Sequence, residues 1–284
     1  MTEPTLYPES GFRRLRIDLA YDGTNFSGWA IQPDRRTVQE VVETALSTVA
    51  QSPAQTIVAG RTDAGVHATG QVIHVDLPET LELDDLAYKL NRILDQDVRI
   101  NKIEIAPTAF HARFSALRRY YEYRILDENK VIQPLARLNT ASWYRPLDVD
   151  VMNRASALLL GTHNYAAFCK YREGATTIRT LETYQWRRDE EGCLVADVVA
   201  DAFCYSMVRN LVGAIVCVAD GRKDPEWIST LLEDKERVSD SLVFPAHGLS
   251  LYKVDYPDAA ELLERAKKTV ARREEEDNQW ATSM

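Results

Sequence analysis

The segment Gly60-Arg61-Thr62-Asp63-Ala64-Gly65-Val66-His67-Ala68 sets one carboxylate beside one guanidinium in a small, polar stretch. Glycines on both sides let the backbone turn sharply and let a ligand approach closely. An ionised carboxylate held there can serve as a nucleophile or a base. The same residues also suit a plain surface turn, with Asp63 capping an amide and pairing with Arg61. Local composition leaves both readings open.

Two further segments carry similar ambiguity. Arg118-Arg119-Tyr120-Tyr121-Glu122-Tyr123 is basic and aromatic. Such a strand can stack bases and hold phosphates, or it can be an edge strand with two core tyrosines. In Phe203-Cys204-Tyr205-Ser206-Met207-Val208-Arg209-Asn210, Arg209 interrupts an otherwise apolar helix. A charge in that setting is costly unless paired. It either snorkels or joins an ordinary ion pair, or it reaches a catalytic carboxylate and keeps it ionised.

Other chemistries lack their signatures. There is no Gly-x-x-x-x-Gly-Lys-Ser/Thr phosphate loop, no His-Glu-x-x-His, no Gly-x-Gly-x-x-Gly and no Gly-x-Ser-x-Gly. Nucleotide hydrolysis, common zinc hydrolysis and dinucleotide redox chemistry therefore move out of the front rank. Cys169, Cys193, Cys204 and Cys217 form no Cys-x-x-Cys pair. Neither a disulfide framework nor a zinc site is expected, and reduced cytosol is the simplest setting.

The elements that must position these segments follow from periodicity. Leu15, Ile17, Leu19 and Tyr21 alternate with polar residues, which predicts a half-buried strand ending at the Asp22-Gly23 turn. Thr37-Val38-Gln39-Glu40 has the form of a capping box that opens a helix. Strands are expected at 56–59, 71–77 and 97–105, with a helix at 84–94 turning Leu86, Leu90, Ile93 and Leu94 inward. Tyr121, Tyr123 and Ile125 share one face of a further strand. Asp148 or Asp150 caps a helix that should end at Gly161. A strand pair is expected over 178–187 and 193–200, then a helix over 205–220 capped by Gly221. Pro225 suits the first turn of a short helix. Leu249, Leu251 and Lys253 alternate along a last strand.

The chain has 284 residues, 45% hydrophobic and 27% charged, which is ordinary globular composition. No apolar run reaches the roughly 18–20 residues of a membrane span, so no membrane partner is expected. The first ten residues show no basic start or apolar stretch, so no secretion signal is expected. The net charge of −9 argues mildly against a phosphate-rich partner. However, much of the acid lies near the end, at Glu274, Glu275, Glu276 and Asp277. Basic residues cluster at Arg13, Arg14 and Arg16, at Arg35 and Arg36, and at Arg118 and Arg119. A basic surface on an acidic chain fits this pattern. The expected organisation is a flexible tail over 1–11, an N-terminal α/β subdomain over 12–110, a C-terminal α/β subdomain over 111–257, and a charged helical tail over 258–284.

At its three reactive segments the sequence resembles the tRNA pseudouridine synthase A family. The stretch from Gly60 to Ala68 matches that family's catalytic motif. Tyr121 and Tyr123 after Arg119 match its second motif, and Met207-Val208-Arg209-Asn210 with Gly213 match its third. Further agreement lies in Tyr21-Asp22-Gly23-Thr24-Asn25-Phe26-Ser27-Gly28-Trp29, Thr37-Val38-Gln39, Phe114-Ser115-Ala116 and Gly248-Leu249. The resemblance spans roughly residues 13–256 with the motifs in order. Two departures are Ala30-Ile31 before Gln32, where the family often has Gln directly after Trp, and Arg119 where it usually has Lys.

The resemblance implies an α+β (mixed α/β) fold of two similar halves whose sheets join into one mainly antiparallel sheet with a central cleft. It implies conversion of uridine to pseudouridine at positions 38, 39 and 40 of the tRNA anticodon stem-loop. It implies no metal and no organic cofactor, and a homodimer; cytoplasmic location is expected from the scattered cysteines and the missing secretion signal. Asp63 becomes the catalytic carboxylate, Arg209 its partner, and Tyr121 the residue that stacks on the flipped base. Arg61, His67, Arg119 and Leu249 become RNA contacts alongside Tyr121. Three competing readings remain: a noncatalytic RNA-binding protein on the same scaffold, the same isomerisation on another RNA, and a hydrolase pairing Asp63 with Asp197 or Asp201. The last needs two carboxylates about 5–10 Å apart.

Overall fold

The computed structural model describes residues 7–170, 176–233, 242–262 and 264–265. The fold is α+β. Among the described residues, those up to Leu117 and those from Tyr252 form one compact unit, and those between Arg118 and Leu251 form a second.

In the first unit, β1 (Phe12–Tyr21) pairs antiparallel with β3 (His67–Pro78) and β4 (Val98–Ile105). A short strand, β2 (Thr56–Val58), also pairs antiparallel with β3. Leu15, Ile17 and Leu19 are fully buried, as the alternation predicts. The strand expected at 71–77 begins earlier, at His67, so the end of the Asp63 segment already belongs to the sheet.

Helix α1 (Val38–Ala50) buries Val38, Val42, Ala45 and Leu46. Its expected capping box does not form. Thr37 is the N-cap, but its side chain makes no cap bond. The orphan amides of the first turn find backbone instead: Val38 N donates to Gly28 O at 3.2 Å and Gln39 N to Trp29 O at 3.0 Å. Helix α2 (Leu86–Ile93) packs on β4 and α1. Ile93, expected inward, is 49% exposed. The helix stops there, and Leu94, in extended backbone, takes the buried place.

In the second unit, β5 (Arg118–Leu126), β9 (Leu194–Ala200), β8 (Ile178–Arg188) and β7 (Gly161–Asn164) pair in that order, each antiparallel. The two-residue β6 (Ala141–Ser142) joins β5 in parallel. Tyr121, Tyr123 and Ile125 are buried on one face of β5. On the other face charges offset one another: Arg187 pairs with Asp197 at 2.5 Å and with Glu122 at 3.7 Å, and Arg124 with Asp189 at 2.9 Å.

Helix α3 (Val149–Ala157) starts at Asp148, whose carboxylate accepts from the Asp150 and Val151 amides. It does not run on to Gly161 as expected. Tight bonds from the amides of Leu158, Leu159 and Leu160 close the last turn, and Gly161, at φ +105°, opens β7 instead. Helix α4 (Met207–Ala219) is buried over most of its surface, and Gly221 follows it at φ +77°. Helix α5 (Glu226–Glu233) begins after Pro225. The last strand, β10, is Leu249–Asp255. The helical tail expected beyond residue 258 lies, from residue 266, outside the described residues.

One approach is not foreseen by the sequence. Cys169 and Cys204 are brought together, their Cα atoms 5.8 Å apart across 35 residues of chain. The neighbouring Lys170 N–H donates to Tyr205 O at 3.0 Å, so backbone holds the same two loops together. Cysteine spacing carries no trace of this approach, because packing of the loops creates it.

Candidate active site

Asp63 lies in the loop between β2 and β3, and the loop is built as a turn. Val66 N donates to Asp63 O at 3.1 Å, and Gly65 between them has φ +79°. That φ is open to glycine at little cost, which explains the glycine at this turn position. Asp63 is half-buried and Arg61 is exposed.

The segment Tyr21–Trp29 braces this loop on both sides of Asp63. Trp29 N donates to Thr62 O at 3.0 Å and Gly65 N to Phe26 O at 3.3 Å. Gly28, at φ +94°, faces the loop so closely that a Cβ would stand 2.9 Å from Thr62 O. The Tyr21 hydroxyl lies 2.8 Å from Thr62 Oγ1. Gln71, fully buried, donates its amide to Tyr21 Oη at 3.1 Å and to Gly60 O at 2.8 Å.

At the far end of the loop, His67 is 7% exposed. Its Nδ1 accepts from Gly23 N at 2.9 Å and lies 3.1 Å from Asp22 Oδ1. Burial by itself would raise the Asp22 pKa; hydrogen bonds from the Thr24 hydroxyl and amide outweigh it and hold the carboxyl below its usual value. His67 was expected among the RNA contacts, and in this fold it ties the loop to the Asp22-Gly23 turn.

In the second unit, the Tyr121 ring meets Phe203 edge-on, centroids 5.1 Å apart. Arg119, on the same face of β5, is buried and donates from Nη1 to Asp201 O at 2.5 Å. Arg209 stands in the first turn of α4. Its Nε donates to Phe244 O at 2.8 Å, while its own carbonyl accepts from Phe244 N at 3.2 Å. Gly213 permits that approach: a Cβ there would stand 1.6 Å from Leu242 O. Leu249 is buried at the start of β10, next to Gly248, whose missing side chain leaves room for the Tyr123 ring. The two carboxylates weighed as hydrolytic partners have local tasks. Asp197 pairs with Arg187, and Asp201 Oδ1 accepts from the Thr180 and Ala202 amides.

Tyr21 and Gln71, which periodicity marks only as strand residues, also hold this loop. The available signal was a glutamine just before the apolar run Val72-Ile73, where an unsatisfied amide would be costly. Among the described residues no group of three or more His, Cys, Asp or Glu is placed to hold a metal ion. Among them, too, no helix is long and apolar enough to cross a membrane.

Comparison with known proteins converges on one group. A family model described as tRNA pseudouridine synthase matches residues 19–115 and 155–257. A tRNA pseudouridine synthase A from Frankia casuarinae is 55% identical over 262 residues, covering 92% of this chain and 96% of its own. That of Leifsonia xyli is 50% identical, with 90% and 96% covered. That of Mycobacterium leprae is 48% identical, with 89% and 93% covered.

Proposed function

The chain belongs to the tRNA pseudouridine synthase family, and from that premise we propose that Asp63 is the catalytic carboxylate of a uridine isomerisation at positions 38, 39 and 40 of the tRNA anticodon stem-loop. The observation that carries this reading is the fixing of the Asp63 loop from both sides by backbone bonds of Phe26 and Trp29. A surface turn needs no such bracing. A catalytic group needs it, because small misplacements cost large factors in rate.

The reaction is an isomerisation and balances within the nucleotide. The C1′–N1 bond breaks, the uracil turns, and a C1′–C5 bond forms. The proton on C5 leaves and N1 regains one, so no oxidant or energy source is consumed. The target base must first leave the stack, as in other base-modifying enzymes. Arg61, exposed on the loop, is suited to hold the flipped nucleotide or fill its place.

The reaction uses Asp63 as a carboxylate, and Arg209 is the candidate for the guanidinium that partners it. The Arg209 side chain is oriented through its bond to Phe244 O. Tyr121 stacks on the uracil and relays the C5 proton; its edge-on contact with Phe203 fixes the ring plane. Arg119, His67 and Leu249 complete the proposed RNA-binding set, acting directly or through the elements they hold. The enzyme is further proposed to be a cytoplasmic homodimer.

An anticodon-arm transcript carrying tritium at uridine C5 tests the assignment. The synthase releases that tritium in step with pseudouridine formation. A noncatalytic binder, or a hydrolase of another bond, releases none. Replacing single uridines in the transcript then reads out the target positions and separates this reading from action on another RNA.

A further inference from the structure

We propose that Tyr21, Thr62 and Gln71 are positioning residues for Asp63, forming a directed hydrogen-bond chain that sets the backbone on its N-terminal side. The inference rests on Asp63 being the catalytic group and adds how the fold holds it.

The chain originates in a sheet irregularity. Leu19 of β1 faces Gln71 of β3, but two residues later Tyr21 faces Ala68. The β3 side thus carries one extra residue, a bulge between Ala68 and Gln71. Bulges bend a strand and re-aim its side chains, often beside active sites. Gly70 sits within the irregularity, where a Cβ would stand 2.0 Å from Tyr252 O, so only glycine fits without displacing the neighbouring backbone. Here the irregularity coincides with Gln71 and Tyr21 making contact.

The direction of the bonds follows from donor and acceptor chemistry. Gln71 is fully buried, and its amide has two N–H donors to satisfy. One goes to Gly60 O at 2.8 Å, the other to Tyr21 Oη at 3.1 Å. The Tyr21 oxygen accepts that bond, which leaves its own proton for Thr62 Oγ1 at 2.8 Å. Burial pushes the Tyr21 pKa up to about 12, so the proton stays in place at neutral pH. The chain therefore ends on two points, Gly60 O and Thr62 Oγ1, which bracket Arg61 and immediately precede Asp63. Trp29 N holds Thr62 O as well, so the residue before Asp63 is fixed by both its side chain and its carbonyl.

A satisfied buried network of this kind rigidifies what it touches. The groups it touches belong to the loop rather than to the buried row of Leu15, Ile17 and Leu19. Its loss should let Asp63 wander by a fraction of an ångström to an ångström. Displacement on that scale costs up to about 100-fold in rate while leaving distant RNA contacts intact.

The test measures kcat and KM on an anticodon-arm RNA, RNA affinity, and thermal unfolding for Gln71→Leu, Tyr21→Phe, Thr62→Val, Thr62→Ser and Asp63→Asn. The expected result is a kcat lowered by about tenfold or more in Gln71→Leu and Thr62→Val, with KM and affinity within about threefold. Thr62→Ser, which keeps the hydroxyl, restores most of the rate lost in Thr62→Val. A kcat per folded molecule equal to wild type in Gln71→Leu and Thr62→Val, whatever the melting temperature, overturns the inference. Thr62→Val is nearly isosteric, so it remains informative if Gln71→Leu fails to fold. Turnover surviving in Asp63→Asn overturns the underlying reading of Asp63. An inactive Asp63→Asn beside fully active Gln71→Leu and Thr62→Val overturns only the positioning role.

Discussion

Gly23 and Val66 meet backbone to backbone: a Cβ built on Gly23 would stand 2.0 Å from Val66 O. The turn after β1 is thereby pressed onto the loop that carries Asp63, and Gly23 N reaches His67 Nδ1 from the same position. No rotamer change relieves a clash between two backbones. Gly23→Ala is therefore expected to cost about 2–3 kcal/mol, in the range of overpacking substitutions. Gly60→Ala, where no atom lies within 4 Å, should stay within about 0.5 kcal/mol. Urea denaturation of the two variants checks the contrast; equal stabilities would show that the turn yields freely.

Asp63→Asn keeps shape and loses the charge. The variant should fold with an unchanged melting temperature and bind the anticodon arm as tightly as wild type. Pseudouridine formation should fall at least about 10⁴-fold, below the level that general electrostatic effects leave behind. Residual turnover of a few per cent, measured by tritium release, would remove Asp63 from the chemistry.

Tyr121→Phe retains the ring that meets Phe203 and loses only the hydroxyl. Affinity should persist because stacking persists. The rate should fall by about 10²-fold or more, the usual worth of a positioned proton-transfer group. Wild-type turnover would restrict Tyr121 to stacking.

Arg209→Leu removes the Nε bond to Phe244 O and a positive charge. The lost bond costs about 1–2 kcal/mol of stability. If Arg209 also serves the reaction, turnover per folded molecule falls as well, measured by tritium release. A wild-type rate per folded molecule would assign Arg209 to structure alone.

His74 and His111 predict an acid weakness of the first unit. Their rings lie 4.9 Å apart, both buried, with Arg14 among the nearby charges. Nδ1 of His74 accepts from Ala112 N and Nδ1 of His111 from Phe114 N, so both are neutral as placed. Desolvation, then Arg14, pushes His111 down to about 4, and His74 is lowered well below its ordinary value by the same two causes, in the same order. The folded pKa is depressed, so the unfolded chain binds more protons below pH 6.5. Stability is complete above about pH 6.5 and declines as pH falls toward 4, by up to about 3 kcal/mol from His111. His111→Asn keeps an acceptor for Phe114 N and should flatten that slope in urea titrations between pH 4 and 7. A slope identical to wild type would locate the acid sensitivity elsewhere.

The sequence by itself determined the strands and helices whose periods are strong. The alternation of Leu15, Ile17 and Leu19, the run of α4 and the stop at Gly221 all stand where the pattern puts them, because local burial and turn chemistry suffice to specify them. It also singled out Asp63, since a carboxylate in a glycine-flanked loop and the ordered segments at Tyr121 and Arg209 are properties of the chain order. Local signals misled where long-range backbone replaced them. Thr37 carries the letters of a capping box, yet its side chain makes no cap bond, and the carbonyls of Gly28 and Trp29 meet the first two amides of the helix instead. Only the tertiary structure decided what holds Asp63: the bulge where Gln71 meets Tyr21 and the contact of Gly23 with Val66. Each joins residues far apart in sequence, and such closeness depends on how whole elements pack rather than on any property of the neighbouring residues.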